Sequence, residues 1–174
     1  MGRRRFFLTR TKRRIALAAL CVLGILLVAS VTLFSNGTSE ADEFARDIDR
    51  ARHGLYVGYT QPVQQQMKQA GDLCPGVKPG SDSPDCANLI ETLGNVDEVL
   101  VTTTVRLEGL LDNPPSEVPE KFLVDMQNVV QLMKDLHESN TFLIDGWRES
   151  DQIKWDEGWT LRRQISDKRQ SLES

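Results

Sequence analysis

Two kinds of hydrophobic pattern divide this chain. From Ile15 to Phe34, twenty consecutive residues carry no charge, and twelve of them are Leu, Ile, Val or Phe. Beyond residue 40 the apolar positions instead recur at steps of three and four, the spacing that holds side chains on one face of a helix. Phe44, Ile48, Ala51, Leu55, Gly58 and Pro62 follow that rule and predict a first helix from about residue 40 to 70. Glu40, Asp42 and Glu43 suit its N-terminus, where the helix dipole favours negative charge. Pro62 should kink or split it, because proline removes a backbone donor and crowds the preceding turn.

A second helix is marked by Leu89, Leu93, Val96, Leu100, Thr103, Leu107 and Leu110, which alternate steps of four and three. Asn113-Pro114-Pro115 ends it. The β-branched run Val99 to Val105 locally favours a strand, but the flanking leucine heptads outweigh it. A third helix opens near Ser116 or Pro119 on Phe122, Met126, Val129, Met133 and Leu136. It can run on through Leu143 and Trp147, which would put Asn140 in a core position, and Gly146 and Gly158 blur its end. Trp155, Trp159 and Ile165 share a broad face of a fourth helix or of a continuation, with residues 166–174 expected to fray. These readings predict an all-α fold: an antiparallel three- or four-helix bundle over residues 41–165, reached through a linker at 35–40.

The uninterrupted run changes the picture most. Twenty residues rising about 1.5 Å each span about 30 Å, the thickness of a bilayer's hydrocarbon core. Seven basic residues lie within the first fourteen, and the first acidic residue is Glu40. The positive-inside rule therefore makes 1–14 a cytoplasmic tail and 15–34 a single-pass transmembrane signal-anchor, with the bundle outside the cytoplasm. A cleaved signal peptide is the rival, since Val28-Ala29-Ser30 offers a small-residue cleavage site. Leu20 before Cys21 is too large for a lipoprotein signal, so Cys21 reads as an apolar membrane residue. Asn36-Gly37-Thr38 fits the glycosylation pattern, yet it lies so close to the membrane that it reads as a juxtamembrane turn.

Charge narrows the partners. All 25 acidic residues follow the apolar run against 14 of the 21 basic ones, leaving that portion eleven negative charges in excess. An acidic domain argues against nucleic acid, whose phosphates require basic patches. Cys74 and Cys86 flank a Gly/Pro-rich stretch, and an even pair in an extracytoplasmic loop reads as a disulfide. A redox-active pair or a thiol metal site is the alternative, but no histidine lies near enough for zinc.

Candidate chemistry is sparse, and no cofactor or metal motif is present. His53 has Asp49 one helical turn before it, and His137 has Glu138 beside it on a different helix face. Gly54, Tyr56, Gly58 and Tyr59 form a candidate ligand or close-packing site, because glycines four apart admit a close neighbour. Trp147, Trp155 and Trp159 form a candidate partner face, tryptophan being enriched at binding hot spots. For the glycine–tyrosine stretch and the tryptophans core packing is the plainer explanation, and for Asp49 with His53 a surface interaction is. The resulting expectation is an anchored extracytoplasmic interaction or scaffold protein of a bacterial cell envelope, engaging another envelope protein or itself. A ligand-binding or sensory helical module is the alternative, since the layout resembles chemoreceptor periplasmic bundles in general plan. An enzyme fits least well.

Overall fold

The computed structural model describes residues 39–172, with side chains through Lys168. The tail, the apolar run, Cys21 and the Asn36-Gly37-Thr38 sequence lie outside the described residues. Among the described residues there is no strand, and no helix is long and apolar enough to cross a membrane. Four helical rods lie antiparallel. The first comprises α1 (Glu40–Leu55), a π-helical turn (Tyr56–Thr60) and α2 (Gln61–Ala70). The others are α3 (Pro84–Asp112), α4 (Glu120–Glu149) and α5 (Gln152–Leu172). With 29 and 30 residues, α3 and α4 each extend about 45 Å at ~1.5 Å per residue.

The first rod starts on a capping box. Ser39 accepts from the Asp42 amide through its hydroxyl, and the Asp42 carboxylate accepts from the Ser39 amide. Two otherwise orphaned backbone donors are thereby satisfied. Pro62 neither splits nor simply kinks the rod. The helix widens by one residue just before it, with the Gln61 amide reaching back to the Tyr56 carbonyl. A π turn absorbs the donor that proline lacks and lets the rod continue.

Leu89, Leu93, Leu100, Thr103 and Leu107 on the heptad face of α3 are buried and Val96 is partly buried, so the flanking leucines do override the local strand preference. Thr104 helps by donating to the Leu100 carbonyl one turn back at 2.8 Å, which satisfies its buried hydroxyl within the helix. The register of the rods is fixed by side chains: Arg106 on Asp47 at 3.5 Å, Phe44 edge-on to Phe122, and Lys134 on Glu108 at 2.5 Å.

The two glycines that blur the end of α4 in the sequence are packing positions, not boundaries. A Cβ at Gly146 would lie 2.6 Å from the Trp155 amide nitrogen, and one at Gly158 would lie 2.7 Å from Leu143 Cγ. Close approach of α4 and α5 requires both. The helix ends instead at Ser150, which adopts the left-handed conformation (φ 55°) and donates back to Gly146 and Trp147. Lys154 closes this turn onto Glu149 at 2.6 Å, and that hydrogen bond raises the lysine's pKa. α5 runs on to Leu172, and Ser166 is buried.

Cys74 and Cys86 are joined in a disulfide, with their Cα atoms 5.5 Å apart and both residues fully buried. The bond ties the end of the first rod to the first turn of α3.

Candidate functional site

Halfway along the bundle, four rods each contribute a polar side chain to one point. Asn140 sits on the core stripe of α4 and is fully buried. Its Oδ1 accepts from Arg162 Nη2 on α5, while its Nδ2 donates to Asp97 Oδ1 on α3 at 2.7 Å. The Tyr59 hydroxyl, carried by the π turn, meets the same amide, 3.2 Å from Nδ2 and 3.4 Å from Oδ1. Ser139, also fully buried, accepts from Arg162 Nε at 3.4 Å and donates to the Gly158 carbonyl at 2.9 Å. Arg162 Nη1 faces the Met67 sulfur at 4.0 Å. At the outer edge, Asp97 Oδ2 meets His137 Nδ1 at 2.7 Å.

The arrangement has a clear electrostatic logic. Arg162 is only 6 % exposed, and an isolated cation at that depth is strongly disfavoured. Its counter-charge, Asp97, stands on another rod, and Asn140 spans the two. Asparagine can do this because its amide accepts on one side and donates on the other. The chain His137–Asp97–Asn140–Arg162 therefore runs from the surface of α4 to the buried face of α5. Chemically it is a connector: it couples three rods at one level, Tyr59 adds the fourth, and it holds the His137 ring through Nδ1. Among the described residues, no group of three or more His, Cys, Asp or Glu is placed to hold a metal ion.

The residues singled out in the sequence separate into different environments. Tyr59 enters the network, while Tyr56 lies at the surface. Gly58 is a close-packing glycine, since a Cβ there would lie 2.8 Å from Val99 Cγ1. Gly54 is not, because open space surrounds its Cβ position. His53 is exposed, and Asp49 pairs with Arg52 at 3.1 Å rather than with His53. Burial lowers the Arg52 pKa, against the opposing pull of Asp49, and its Nε has no acceptor.

The tryptophan face is corrected. Trp155 and Trp159 are 0 % and 4 % exposed, and only Trp147 is half-buried. The three rings pack on one another, with centroids 5.3 Å apart for Trp147–Trp155 and 5.6 Å for Trp155–Trp159. The shared helical face thus turns inward, because Gly146 and Gly158 let α5 lie close against α4. Both buried indole N–H groups lack an acceptor, at a cost of about 1–3 kcal/mol each.

Asp97, Ser139 and Arg162 did not stand out in the sequence, although spacing carries a signal for each. Asp97 lies four residues after Leu93 and three before Leu100, and Ser139 lies three after Leu136 and four before Leu143. Arg162 lies seven after Trp155 and three after Trp159. All three occupy positions that an apolar stripe would fill. Comparison with known protein families, with curated proteins and with solved structures finds no match to this chain.

Proposed function

We propose that this chain is a membrane-anchored interaction or scaffold protein of a cell envelope, presenting a rigid helical bundle outside the cytoplasm. In this reading residues 15–34 cross the bilayer once with the N-terminus in the cytoplasm. The bundle then engages another envelope protein or a second copy of the chain. The supporting observation is the capping box at Ser39 and Asp42, five residues beyond the end of the apolar run at Phe34. A helix that starts on its own cap begins independently of the apolar run. It is unlike the unbroken helix through which a receptor carries movement from its outer domain into the membrane. The Tyr59–Asn140–Asp97–Arg162 network supports the same reading, since it engages polar side chains of four rods with one another.

A ligand-binding module is the second reading, favoured by one feature: Arg162, a buried cation beside Tyr59 whose Nη1 has only a thioether near it. This reading expects a small anion to raise the melting temperature, and Arg162→Met to abolish that rise. Neither reading gives the Asp97–His137 pair a catalytic role.

Two measurements test the proposal. Carbonate extraction of cells should leave the full-length chain in the membrane fraction, and deleting residues 15–34 should release it. In-cell crosslinking with mass spectrometry should then find a reproducible intermolecular contact on the bundle exterior. Extraction of the intact chain into the soluble fraction, or crosslinks confined within one chain, would overturn the reading.

A further inference from the structure

The disulfide-closed end of the bundle is built as a strap. Residues 71–83 leave the first rod, pass through a short 3-10 turn at Cys74–Gly76 that packs against α5, and return to the start of α3. Pro79 is fully buried within this stretch. Gly80 has φ +72°, and a Cβ there would overlap the Ser150 hydroxyl and lie 3.5 Å from the Trp147 carbonyl oxygen. The strap is thus seated on the α4–α5 turn, and its seat is one left-handed residue against another, Gly80 on Ser150. Trp147 and Trp155 flank that turn on α4 and α5 and pack ring on ring, with Trp159 against Trp155. Trp155 and Trp159 each bury an indole N–H with no acceptor.

We propose that residues 71–83 form a redox-sensitive strap: the Cys74–Cys86 disulfide holds it shut over the tryptophan cluster, and reduction releases it. Three observations combine to carry this. The bond shortens the free length of the strap at the two points where it leaves the rods. Beyond its own flanks the strap is seated on the α4–α5 turn through Gly80 and on α5 through its 3-10 turn. The aromatic surface below has unpaired donors, so opening lets water satisfy groups that the closed form leaves without partners. The tryptophan face that is closed in this structure becomes accessible when the strap lifts.

The chemistry needs a dithiol reductant, either an oxidoreductase with two active-site thiols or a small dithiol. Its two thiols supply two electrons and two protons. The Cys74–Cys86 bond becomes two thiols, and the reductant leaves as its own disulfide, by thiolate attack through a mixed disulfide. Because both cysteines are buried, attack awaits transient lifting of the strap.

The test uses the full chain in detergent micelles, with dithiothreitol as the reductant and thiol labelling to confirm reduction. The chain has three tryptophans, all in this cluster, so its emission reports on nothing else. On reduction, emission should shift to the red and acrylamide quenching should rise, while far-UV circular dichroism stays unchanged. Hydrogen-exchange protection in residues 71–83 and 146–156 should fall by on the order of a hundredfold, the size of the loop restraint the bond imposes. Protection around Asn140 should persist. Gly80→Ala, which unseats the strap with the bond intact, should reproduce part of the red shift without reductant. Unchanged emission and exchange after confirmed reduction would overturn the proposal, showing that packing alone holds the strap. Loss of helical signal throughout would overturn it too, because the bond would then secure the whole fold.

Discussion

The middle of the bundle and its disulfide-closed end both bury polar atoms among apolar helices, with opposite results. In the middle, Asn140 joins Arg162, Asp97 and Tyr59, and each of these groups meets a partner. At the closed end, Trp155 and Trp159 each bury a donor that meets none. The difference follows from side-chain type. An amide accepts and donates at once and can link groups of either kind, whereas indole N–H only donates. The middle is therefore a polar lock that depends on every member, and the end is an apolar cluster that depends on shape.

That contrast is most easily broken at Asn140. Asn140→Leu leaves the buried Arg162 and the inner side of Asp97 without their bridge. It should destabilise the fold by about 3–5 kcal/mol in chemical denaturation, the usual loss when a buried charge is left uncompensated. The double variant Asn140→Leu with Arg162→Met should recover much of that loss, because removing both sides of a buried polar contact costs less than removing one. Additive losses would mean that Arg162 contributes through its packing rather than through the network.

At the closed end the corresponding probe is steric. Gly146→Ala brings a Cβ within 2.6 Å of the Trp155 backbone, which cannot yield without moving α5. A loss of about 1–3 kcal/mol is expected in thermal denaturation, as for other overpacked sites. Gly158→Ala should cost a similar amount, since its Cβ would lie 2.7 Å from Leu143 Cγ and 3.0 Å from the Leu143 backbone nitrogen.

A finer test compares single donors. Tyr59→Phe removes a hydroxyl that has partners and should cost about 1 kcal/mol. Trp159→Phe removes a donor that has none, so its loss should fall below that of a typical large-to-small core change, which is about 3 kcal/mol or more for Trp→Ala. Equal costs after allowing for volume would remove the distinction between the two regions.

The smallest effect has the opposite sign. Gly54 lies in a helix with open space around its Cβ position, so Gly54→Ala should stabilise by about 0.5–1 kcal/mol. Gly58→Ala, one turn on and facing Val99 at 2.8 Å, should not.

The helices could be read from the sequence because their signals are local. Apolar residues at steps of three and four give α3 and α4, Asn113-Pro114-Pro115 separates them, and Glu40, Asp42 and Glu43 mark the first helix start. The Cys74–Cys86 pairing was legible because a chain segment with two cysteines leaves one pairing. The π turn was half-legible: Pro62 announces a disturbance, but whether a helix breaks, bends or widens depends on what packs against it. The site was the least legible part. Asn140, Asp97 and Arg162 each interrupt the spacing of an apolar stripe, yet which of them meets which is set only when the rods are placed side by side.

By itself the sequence determined three amphipathic helical segments and a helical final stretch, their order, a disulfide-closed connection and an apolar run of bilayer length. Each of these depends on residues near one another in the chain. Only the tertiary structure decided that Arg162, Asp97 and Asn140 meet, that Gly146 and Gly158 bring α4 and α5 together, and that the tryptophans face inward. Those outcomes depend on the rotation and register of one helix against another. Many side chains fix these jointly, and helical periodicity specifies which face is buried but not which residue of a neighbouring helix it meets.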